Sequence, residues 1–265
     1  MLHAIKLGEK SGTGLIFLHG FMGSGEEWRG IAESVSRRWQ AVLVDLPGHG
    51  ASIGLAEAAT TWEGACGLVH EILDSSECER HVLIGYSMGA RIAIQIAIDA
   101  PARLAGLVIE SGTAGLEDPT ERDIRRQIDR ERAAELERVP IEIFVRHWYQ
   151  QDLFKTLARR RDLLEEIVGM RARNDPSELA RAVSGLSVAT QPNLWTRLGE
   201  LSVPTLIVTG ALDENYESIA DRISAATLHS RRVSIAACGH SVHCEAPSAF
   251  AEELVSFVES LSCVL

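Results

Sequence analysis

The sequence predicts an α/β protein in which a mostly parallel β-sheet is flanked by helices and interrupted by a helical insertion. Short runs of β-branched residues alternate with helical patterns, which is typical of a parallel sheet covered on both faces. That alternation stops after Gly112 and resumes with an apolar run at residue 204. We therefore expect a core built from residues 1–113 and 194–265, with residues 114–193 forming a helical lid.

Six apolar runs predict the strands of the core. They are residues 14–20, 40–48, 81–87, 104–112, 204–210 and 231–239. Their nearly continuous apolar character favours strands that are buried on both faces. The opening stretch MLHAIKLG predicts an additional strand at the edge of the sheet, and we place the insertion after about the sixth strand.

The insertion is charged and has the residue spacing of helices. Its prolines divide it in the way that prolines do near helix ends, at Pro119, Pro140, Pro176 and Pro192. Residues 114–175 hold 13 of the 26 Lys and Arg residues of the chain. Most of these alternate with acids, as on a solvent-exposed helix. A local concentration of positive charge also suits an anionic ligand.

Composition and charge exclude several classes of protein. The net charge of −11 argues against nucleic-acid binding, and no apolar run is long enough for membrane insertion. The N-terminal residues show no secretory signal. The five cysteines form no C-x-x-C pair and favour reduced thiols; they are Cys66, Cys78, Cys238, Cys244 and Cys263. We expect a cytoplasmic protein, either a monomer or a homodimer.

The segment GYSMG predicts a nucleophilic serine, Ser87. It follows an apolar strand and precedes the helical pattern ARIAIQIAIDA. A serine on a tight turn between a strand and a helix projects its hydroxyl beyond the carboxyl edge of the sheet. As a bare pattern, two glycines beside a serine also fit a plain turn. The strand and helix around the motif favour the nucleophile.

A serine nucleophile requires a base, and the base requires an orienting carboxylate. Asp213 comes just after one predicted strand and His240 just after the next, in the order serine, acid, histidine. Both therefore belong at the same sheet edge as the serine. Glu214 and Glu217 are alternatives for the acid, and His243 is the alternative for the base. His240 is favoured because it directly follows the glycine that ends its strand.

The cluster CGHSVHC contains ligand-type residues and raises the question of zinc. Four ligands within seven residues, with no second cluster elsewhere in the sequence, are poorly spaced for a structural zinc site. We interpret Cys238 and Cys244 as small buried residues, and we expect no metal.

A glycine-rich loop, LHGFMGSG, follows the first core strand. It lacks the G-K-[ST] ending of a nucleotide-binding loop. We interpret it as part of an oxyanion hole, in which the backbone N–H of Phe21 lies beside that of Met88. A plain turn is the alternative. The loop DLPGHG lies at the same edge, and we interpret it as structural.

Together, these motifs resemble those of the α/β-hydrolase superfamily. The stretches HGFMGSGEEW, VDLPGHG, GYSMGAR, ESGTAGLED, WYQQ and GHSVHCEAP further resemble the 2-succinyl-6-hydroxy-2,4-cyclohexadiene-1-carboxylate synthases of menaquinone (vitamin K2) biosynthesis. The resemblance implies an α/β-hydrolase fold that catalyses a lyase reaction without a cofactor. Pyruvate is eliminated from 2-succinyl-5-enolpyruvyl-6-hydroxy-3-cyclohexene-1-carboxylate, a small polycarboxylate, and the Ser–His–Asp triad acts as the base.

The resemblance also implies which residues bind that substrate. Arginines of this family bind the substrate carboxylates, and the matching positions are Arg91, Arg125 and Arg171. Tyr86 and Trp148 match further pocket residues. A guanidinium can bind a carboxylate through two parallel hydrogen bonds, so an arginine one helical turn after the nucleophile would orient an anionic substrate over it.

Alternatives remain for each arginine. Arg91 could be a surface residue paired with an acid. A shift of helical register would replace Arg125 by Arg122 or Arg126, and Arg171 by Arg173. The sequence also departs from the motif at residue 90, where alanine stands in place of a common second glycine. An alanine is acceptable there if the helix has already begun.

Two other functions are compatible with the same motifs. A serine hydrolase acting on esters or carbon–carbon bonds would use the same triad, with Ser87 as a covalent nucleophile. A binding protein could also retain the triad on this fold without catalysis. Arginines in the pocket favour the elimination reaction over a neutral-ester hydrolase.

Overall fold

The computed structural model describes residues 1–10 and 12–261; Cys263 lies outside them. The strands are β1 (Ala4–Leu7), β2 (Thr13–Leu18), β3 (Ala41–Val44), β4 (Arg80–Tyr86), β5 (Leu104–Glu110), β6 (Thr205–Gly210) and β7 (Ser230–Ile235). Within this described part they form one sheet in the order β1-β3-β2-β4-β5-β6-β7. Only the β1–β3 pair is antiparallel. The sheet is therefore mostly parallel, which confirms the predicted fold class.

All seven predicted strands are present, including the edge strand β1. Two details of the prediction were wrong. The insertion follows the fifth strand, β5, and not about the sixth. The last strand, β7, is half-exposed along its length instead of buried on both faces, because it forms the other edge of the sheet.

The α-helices are α1 (Arg29–Val35), α2 (Trp62–Ser75), α3 (Met88–Asp99), α4 (Pro119–Leu136), α5 (Ile141–Trp148), α6 (Arg161–Arg171), α7 (Pro176–Gly185), α8 (Glu214–Ala226), α9 (Val242–Glu245) and α10 (Pro247–Leu261). Short 3₁₀ helices span Gly25–Trp28, Glu57–Thr60, Pro101–Arg103, Asp152–Phe154, Leu157–Arg159 and Trp195–Glu200. No helix of the described residues is long and apolar enough to cross a membrane.

Two hydrophobic layers cover the sheet because successive strand residues point to opposite faces. On one face, Ile16 and Leu18 of β2 pack in a cluster with residues of α2, α3 and α8. On the other, Leu15 and Phe17 pack with residues of α1 and α10. The parallel strands thus end at one edge, between the two helix layers.

Helices α4–α7 occupy the chain between β5 and β6 and share a third hydrophobic cluster, which includes Phe144 and Leu179. Met22, from the loop after β2, packs into that cluster. Pro119 and Pro176 stand at the first positions of α4 and α7, where proline costs no helical hydrogen bond. The helical insertion is thereby confirmed. The boundaries 1–113, 114–193 and 194–265, and closure over the site as a lid, remain predictions.

Candidate active site

Ser87 lies on the turn between β4 and α3, with φ 48° and ψ −103°. Such a positive φ is uncommon for serine and stores about 1–3 kcal/mol of strain. The flanking glycines are required by close packing. A Cβ on Gly85 would lie 2.5 Å from the backbone nitrogen of Ala90, and one on Gly89 would overlap the carbonyl oxygen of Leu18. Helix α3 begins at Met88, before Ala90, which explains why an alanine fits there.

The structure brings Ser87 together with His240 and Asp213. His240 Nε2 lies 3.1 Å from Ser87 Oγ, and His240 Nδ1 lies 2.8 Å from Asp213 Oδ2. Asp213 is the N-cap of α8, where its other oxygen accepts a hydrogen bond from the backbone N–H of Tyr216 at 3.2 Å. The imidazole is only 1 % exposed. This geometry allows a base to take the serine proton while a carboxylate holds the ring.

The alternative residues lie elsewhere. Glu214 is exposed, and Glu217 accepts hydrogen bonds from Thr209 and Ser234. His243 is fully buried with its Nδ1 2.8 Å from Glu110 Oε1. Neither acid replaces Asp213 at His240, and His243 makes a separate ion pair below the site.

Aromatic rings enclose His240 on several sides. Ring centroids of Tyr86, Phe154 and Tyr216 lie 5.5, 5.7 and 4.4 Å from that of the imidazole. Tyr86 comes from β4 and Phe154 from the insertion, so core and insertion both restrict the ring. Tyr86 is also held by a 2.5 Å hydrogen bond between its hydroxyl and Ser241 Oγ. The rings fix the base in a largely apolar setting.

A cavity of about 600 Å³ opens above Ser87 between the sheet edge and the insertion. Its lining includes most of the predicted site residues, namely Phe21, Tyr86, Ser87, Met88, Arg91, Arg125, Trp148, Arg171 and His240. Asp213 lies behind His240. Met88 is the first residue of α3, and the N–H groups at a helix start have no intrahelical partner. That the backbone N–H groups of Phe21 and Met88 act as oxyanion donors remains a prediction.

Arg91 is buried beside the cavity, at 8 % exposure. Its guanidinium donates to the carbonyl oxygen of Leu186 at 2.7 Å and to Gln191 Oε1 at 3.3 Å. Among the described residues it makes no ion pair with a carboxylate. Burial, and then the charge of Arg125, lower its pKa to about 10, so it stays charged at neutral pH. The alternative of a surface residue paired with an acid is therefore wrong.

Arg125 shares a buried carboxylate with an arginine that the sequence analysis missed. Arg125 Nε and Arg132 Nη1 lie 2.7 and 2.8 Å from the two oxygens of Asp129. Ser187 Oγ donates to the same carboxylate at 2.5 Å, and the Arg132 guanidinium stacks 4.6 Å from the Trp148 ring centroid. Both arginines line the cavity. Two cations share one anion, which leaves one positive charge in excess.

The spacing of these residues contained a signal for Arg132. Positions 125, 129 and 132 follow the i, i+4, i+7 pattern of one helix face. Burial, and then the charge of Arg125, lower the pKa of Arg132. Sequence reasoning also missed two tyrosines that line the cavity. Tyr149 belongs to the stretch WYQQ, whereas Tyr216 belongs to none of the stretches that carry the resemblance.

Arg171 lines the cavity and is already paired with an acid. Its Nη2 lies 2.6 Å from Glu27 Oε2, and its Nε donates to the Tyr149 hydroxyl at 3.2 Å. Burial opposes the charge, but the attraction of Glu27 raises the pKa of Arg171 above its usual value. Arg171 thus has a carboxylate partner in Glu27, whereas Arg91 has none among the described residues.

The three register alternatives do not line the cavity in the described part of the chain. Arg122 donates to the carbonyl oxygens of Gln191 and Leu116, at 2.9 and 2.6 Å. Arg126 pairs with Asp123 on the exposed face of α4, and Arg173 is exposed. Of the arginines considered from the sequence for these helices, Arg125 and Arg171 are therefore the ones that line the cavity.

The cysteines of CGHSVHC take two different positions. Cys238 is buried, as expected, whereas Cys244 is only partly buried, with its sulfur 3.2 Å from His243 Nε2. No group of three or more His, Cys, Asp or Glu side chains among the described residues could hold a metal ion.

The sheet topology, the strained serine turn and the Ser–His–Asp arrangement are those of the α/β hydrolase family, whose family model matches residues 15–253. A solved structure, MenH from S. aureus, superposes with a TM-score of 0.93 at 29% identity and covers 98% of both chains. The enol-lactonase from Burkholderia xenovorans LB400 superposes with a TM-score of 0.81 at 17% identity, a likeness of fold alone.

Relatives of similar sequence indicate which enzymes of this fold the protein resembles. A 2-succinyl-6-hydroxy-2,4-cyclohexadiene-1-carboxylate synthase of Serratia proteamaculans is 36% identical over 96% of both chains. One of Klebsiella pneumoniae is 34% identical over 93% of this chain and 94% of its own. The chain therefore belongs to the 2-succinyl-6-hydroxy-2,4-cyclohexadiene-1-carboxylate synthases, a family of enzymes on the α/β hydrolase fold, as the motif resemblance predicted.

Proposed function

We propose that this enzyme eliminates pyruvate from 2-succinyl-5-enolpyruvyl-6-hydroxy-3-cyclohexene-1-carboxylate, in menaquinone biosynthesis. The observation that carries the proposal is Arg91, a buried guanidinium one helical turn from Ser87 with no acidic partner in the described structure. A buried charge is costly unless it is paired. A substrate carboxylate supplies the partner, whereas a neutral ester does not.

The two names of substrate and product define the bonds that change. The ring double bond at C3 of the substrate becomes two double bonds, at C2 and C4, in the product. A proton therefore leaves C2, which is adjacent to the succinyl ketone, while the C5–O bond to the enolpyruvyl group breaks. The electron pair of the C2–H bond moves through the ring, and pyruvate leaves as its enol. No water is consumed, and the reaction needs no oxidant or reductant.

In this mechanism the triad moves the proton. Ser87 Oγ, 3.1 Å from His240 Nε2, accepts the proton of C2 as its own proton passes to the imidazole. Asp213 stabilises the imidazolium that forms, from 2.8 Å. The His240 imidazolium then gives its proton to the departing pyruvate enolate, while Ser87 keeps the proton taken from C2, so the enzyme ends each turnover with a neutral serine and a neutral imidazole.

Two backbone N–H groups stabilise the charge that develops on the substrate. Loss of the C2 proton places negative charge on the succinyl ketone oxygen, and donors aimed at such an oxygen are worth about 10²–10³ in rate. Phe21 and Met88 both line the cavity beside the serine, and Met88 lies at the positive end of α3. Tyr86 and Trp148 form walls against the apolar ring faces.

Arginines hold the carboxylates of the substrate. Arg91 binds one beside the nucleophile, and the excess positive charge of Arg125 and Arg132 around Asp129 receives a second. Salt bridges to carboxylates fix the substrate in one orientation. Correct orientation over Ser87 is a major part of the rate enhancement that such a site can supply.

The test is release of pyruvate by the purified protein. The precursor is made in situ by the upstream synthase, spontaneous release is subtracted, and a panel of short-chain esters is assayed in parallel. Fast release that is lost in Ser87→Ala and in Arg91→Gln supports the proposal. Ester turnover without accelerated pyruvate release would instead identify a serine hydrolase, the second function that the 3.1 Å contact between Ser87 and His240 supports.

A further inference from the structure

Four charged side chains form a continuous buried row beneath the cavity. His243 Nδ1 lies 2.8 Å from Glu110 Oε1, and His243 Nε2 lies 3.8 Å from Glu27 Oε1. Glu27 Oε2 lies 2.6 Å from Arg171 Nη2. The side chains of Glu110, His243, Glu27 and Arg171 are 0, 0, 3 and 5 % exposed. The first three belong to the core and the last to α6 of the insertion.

The charges of this row of four side chains balance. Burial disfavours a protonated His243, but its neighbours Cys244 and Glu110 raise the pKa of His243 well above its usual value. Two carboxylates therefore alternate with two cations. Arg171 consequently has its counter-ion inside the protein, and it does not need a substrate carboxylate to offset its burial.

This row of side chains also contacts the glycine-rich loop that carries Phe21. Glu27 Oε1 accepts a hydrogen bond from the backbone N–H of Gly20 at 3.4 Å. A Cβ on Gly23 would overlap Arg171 Nη1, so the guanidinium lies directly against the backbone of this loop. The Glu27–Arg171 pair therefore contacts the loop at two points, Gly20 and Gly23.

We propose that Arg171 is a positioning residue, which together with Glu27 fixes residues 20–25 and so sets the backbone N–H of Phe21, instead of binding a substrate carboxylate. The inference rests on the proposed function, because that N–H matters only if it stabilises the reacting substrate. The reassignment applies to Arg171 alone. Arg91 and Arg125 keep their substrate-binding roles.

The experiment combines a structural measurement with kinetics on Arg171→Gln, Glu27→Gln and the double variant. Arg161→Gln, an exposed arginine at the start of the same helix, is the matched control. Hydrogen exchange of residues 18–25 is followed by mass spectrometry without substrate. The kcat and KM for pyruvate release are then measured on the same samples. The double variant removes both charges together, so it remains informative if a single variant with one unpaired buried charge folds poorly.

Positioning predicts exchange of residues 18–25 that is about tenfold faster in either single variant and unchanged in Arg161→Gln. It also predicts a kcat about 10²-fold lower with little change in KM. The double variant should show exchange no faster and a kcat no lower than the single variants, since both substitutions act through the same pair.

Unchanged exchange in Arg171→Gln, with KM raised in both the wild-type and the Glu27→Gln backgrounds, would overturn the inference and return Arg171 to substrate binding. The exchange measurement needs no substrate. If the wild-type protein released no pyruvate, the proposed function would fail, while exchange would still decide whether the pair fixes the loop.

Discussion

The backbone N–H of Arg91 donates to the carbonyl oxygen of Ser87 at 3.1 Å, so the strained serine and the buried cation share the first turn of α3. The same helix start thus carries the hydroxyl and the guanidinium that the proposed function assigns to the reaction and to carboxylate binding. In the proposed function, this relationship would adapt a fold with a Ser–His–Asp triad to an anionic substrate.

Loss of either the serine or the histidine of the triad should abolish most of the activity. Ser87→Ala and His240→Ala should each lower the kcat for pyruvate release by about 10³-fold or more, because each removes the path of the proton. Steady-state assays with in situ precursor measure the effect. His229→Ala, which changes an exposed histidine, serves as the control and should retain wild-type activity. Retained activity in Ser87→Ala would contradict a triad base.

Arg91→Met should separate activity from stability. Loss of the guanidinium should lower kcat/KM about 10²-fold, the value of a charge-assisted hydrogen bond to a carboxylate. The free energy of unfolding should stay equal or rise by about 1 kcal/mol, because an unpaired buried charge is replaced by an apolar side chain of similar length. Urea denaturation measures the second quantity.

Arg126→Met changes an exposed arginine of α4 and is the control for that experiment; neither quantity should change appreciably. A destabilisation of Arg91→Met by more than about 2 kcal/mol would show instead that the hydrogen bonds to Leu186 and Gln191 outweigh the cost of the buried charge.

Asp129→Asn should loosen the pair of arginines on α4. Arg125 and Arg132 lose the carboxylate that they share and then repel each other, so we expect a loss of about 3 kcal/mol in the free energy of unfolding. The kcat/KM for pyruvate release should fall about tenfold as both guanidinium groups lose their orientation. Asp123→Asn on the exposed face of the same helix should change stability by less than about 1 kcal/mol. Equal effects of the two substitutions would argue against the shared carboxylate.

His49 should make stability depend on pH. Burial lowers the pKa of His49 from 6.5 to about 4. Between pH 6.5 and 4 the unfolded chain therefore binds more protons than the folded protein, and the free energy of unfolding falls as the pH falls. The full effect is about 3 kcal/mol. Urea midpoints of wild type and His49→Gln at pH 7 and pH 4.5 should converge at the lower pH.

The exposed His229→Gln is the control for this pH dependence and should follow the wild type at both values. A gap between wild type and His49→Gln that is the same at pH 7 and at pH 4.5 would show that His49 does not take part in acid destabilisation.

Much of the fold and part of the candidate site could be predicted because the signals are local. Each strand is a short apolar run, and parallel strands must end at one edge. Residues just after those runs, such as Ser87, Asp213 and His240, therefore had to approach one another. The edge position of β7 was not predictable in this way, since half-exposure depends on which strand has no neighbour.

The sequence by itself determined the sheet and its insertion and favoured Ser87, His240 and Asp213 for the site, because chain order and apolar pattern constrain them. The tertiary structure alone decided which cations remain without an acid. Arg91, Arg125 and Arg171 look alike in the sequence. Yet Arg171 meets Glu27 from a distant part of the chain, while Arg91 pairs with no carboxylate of the described residues and instead contacts a carbonyl, an amide and the Trp62 ring. Charge compensation is set by contacts in space, and these appear only when the insertion packs on the core.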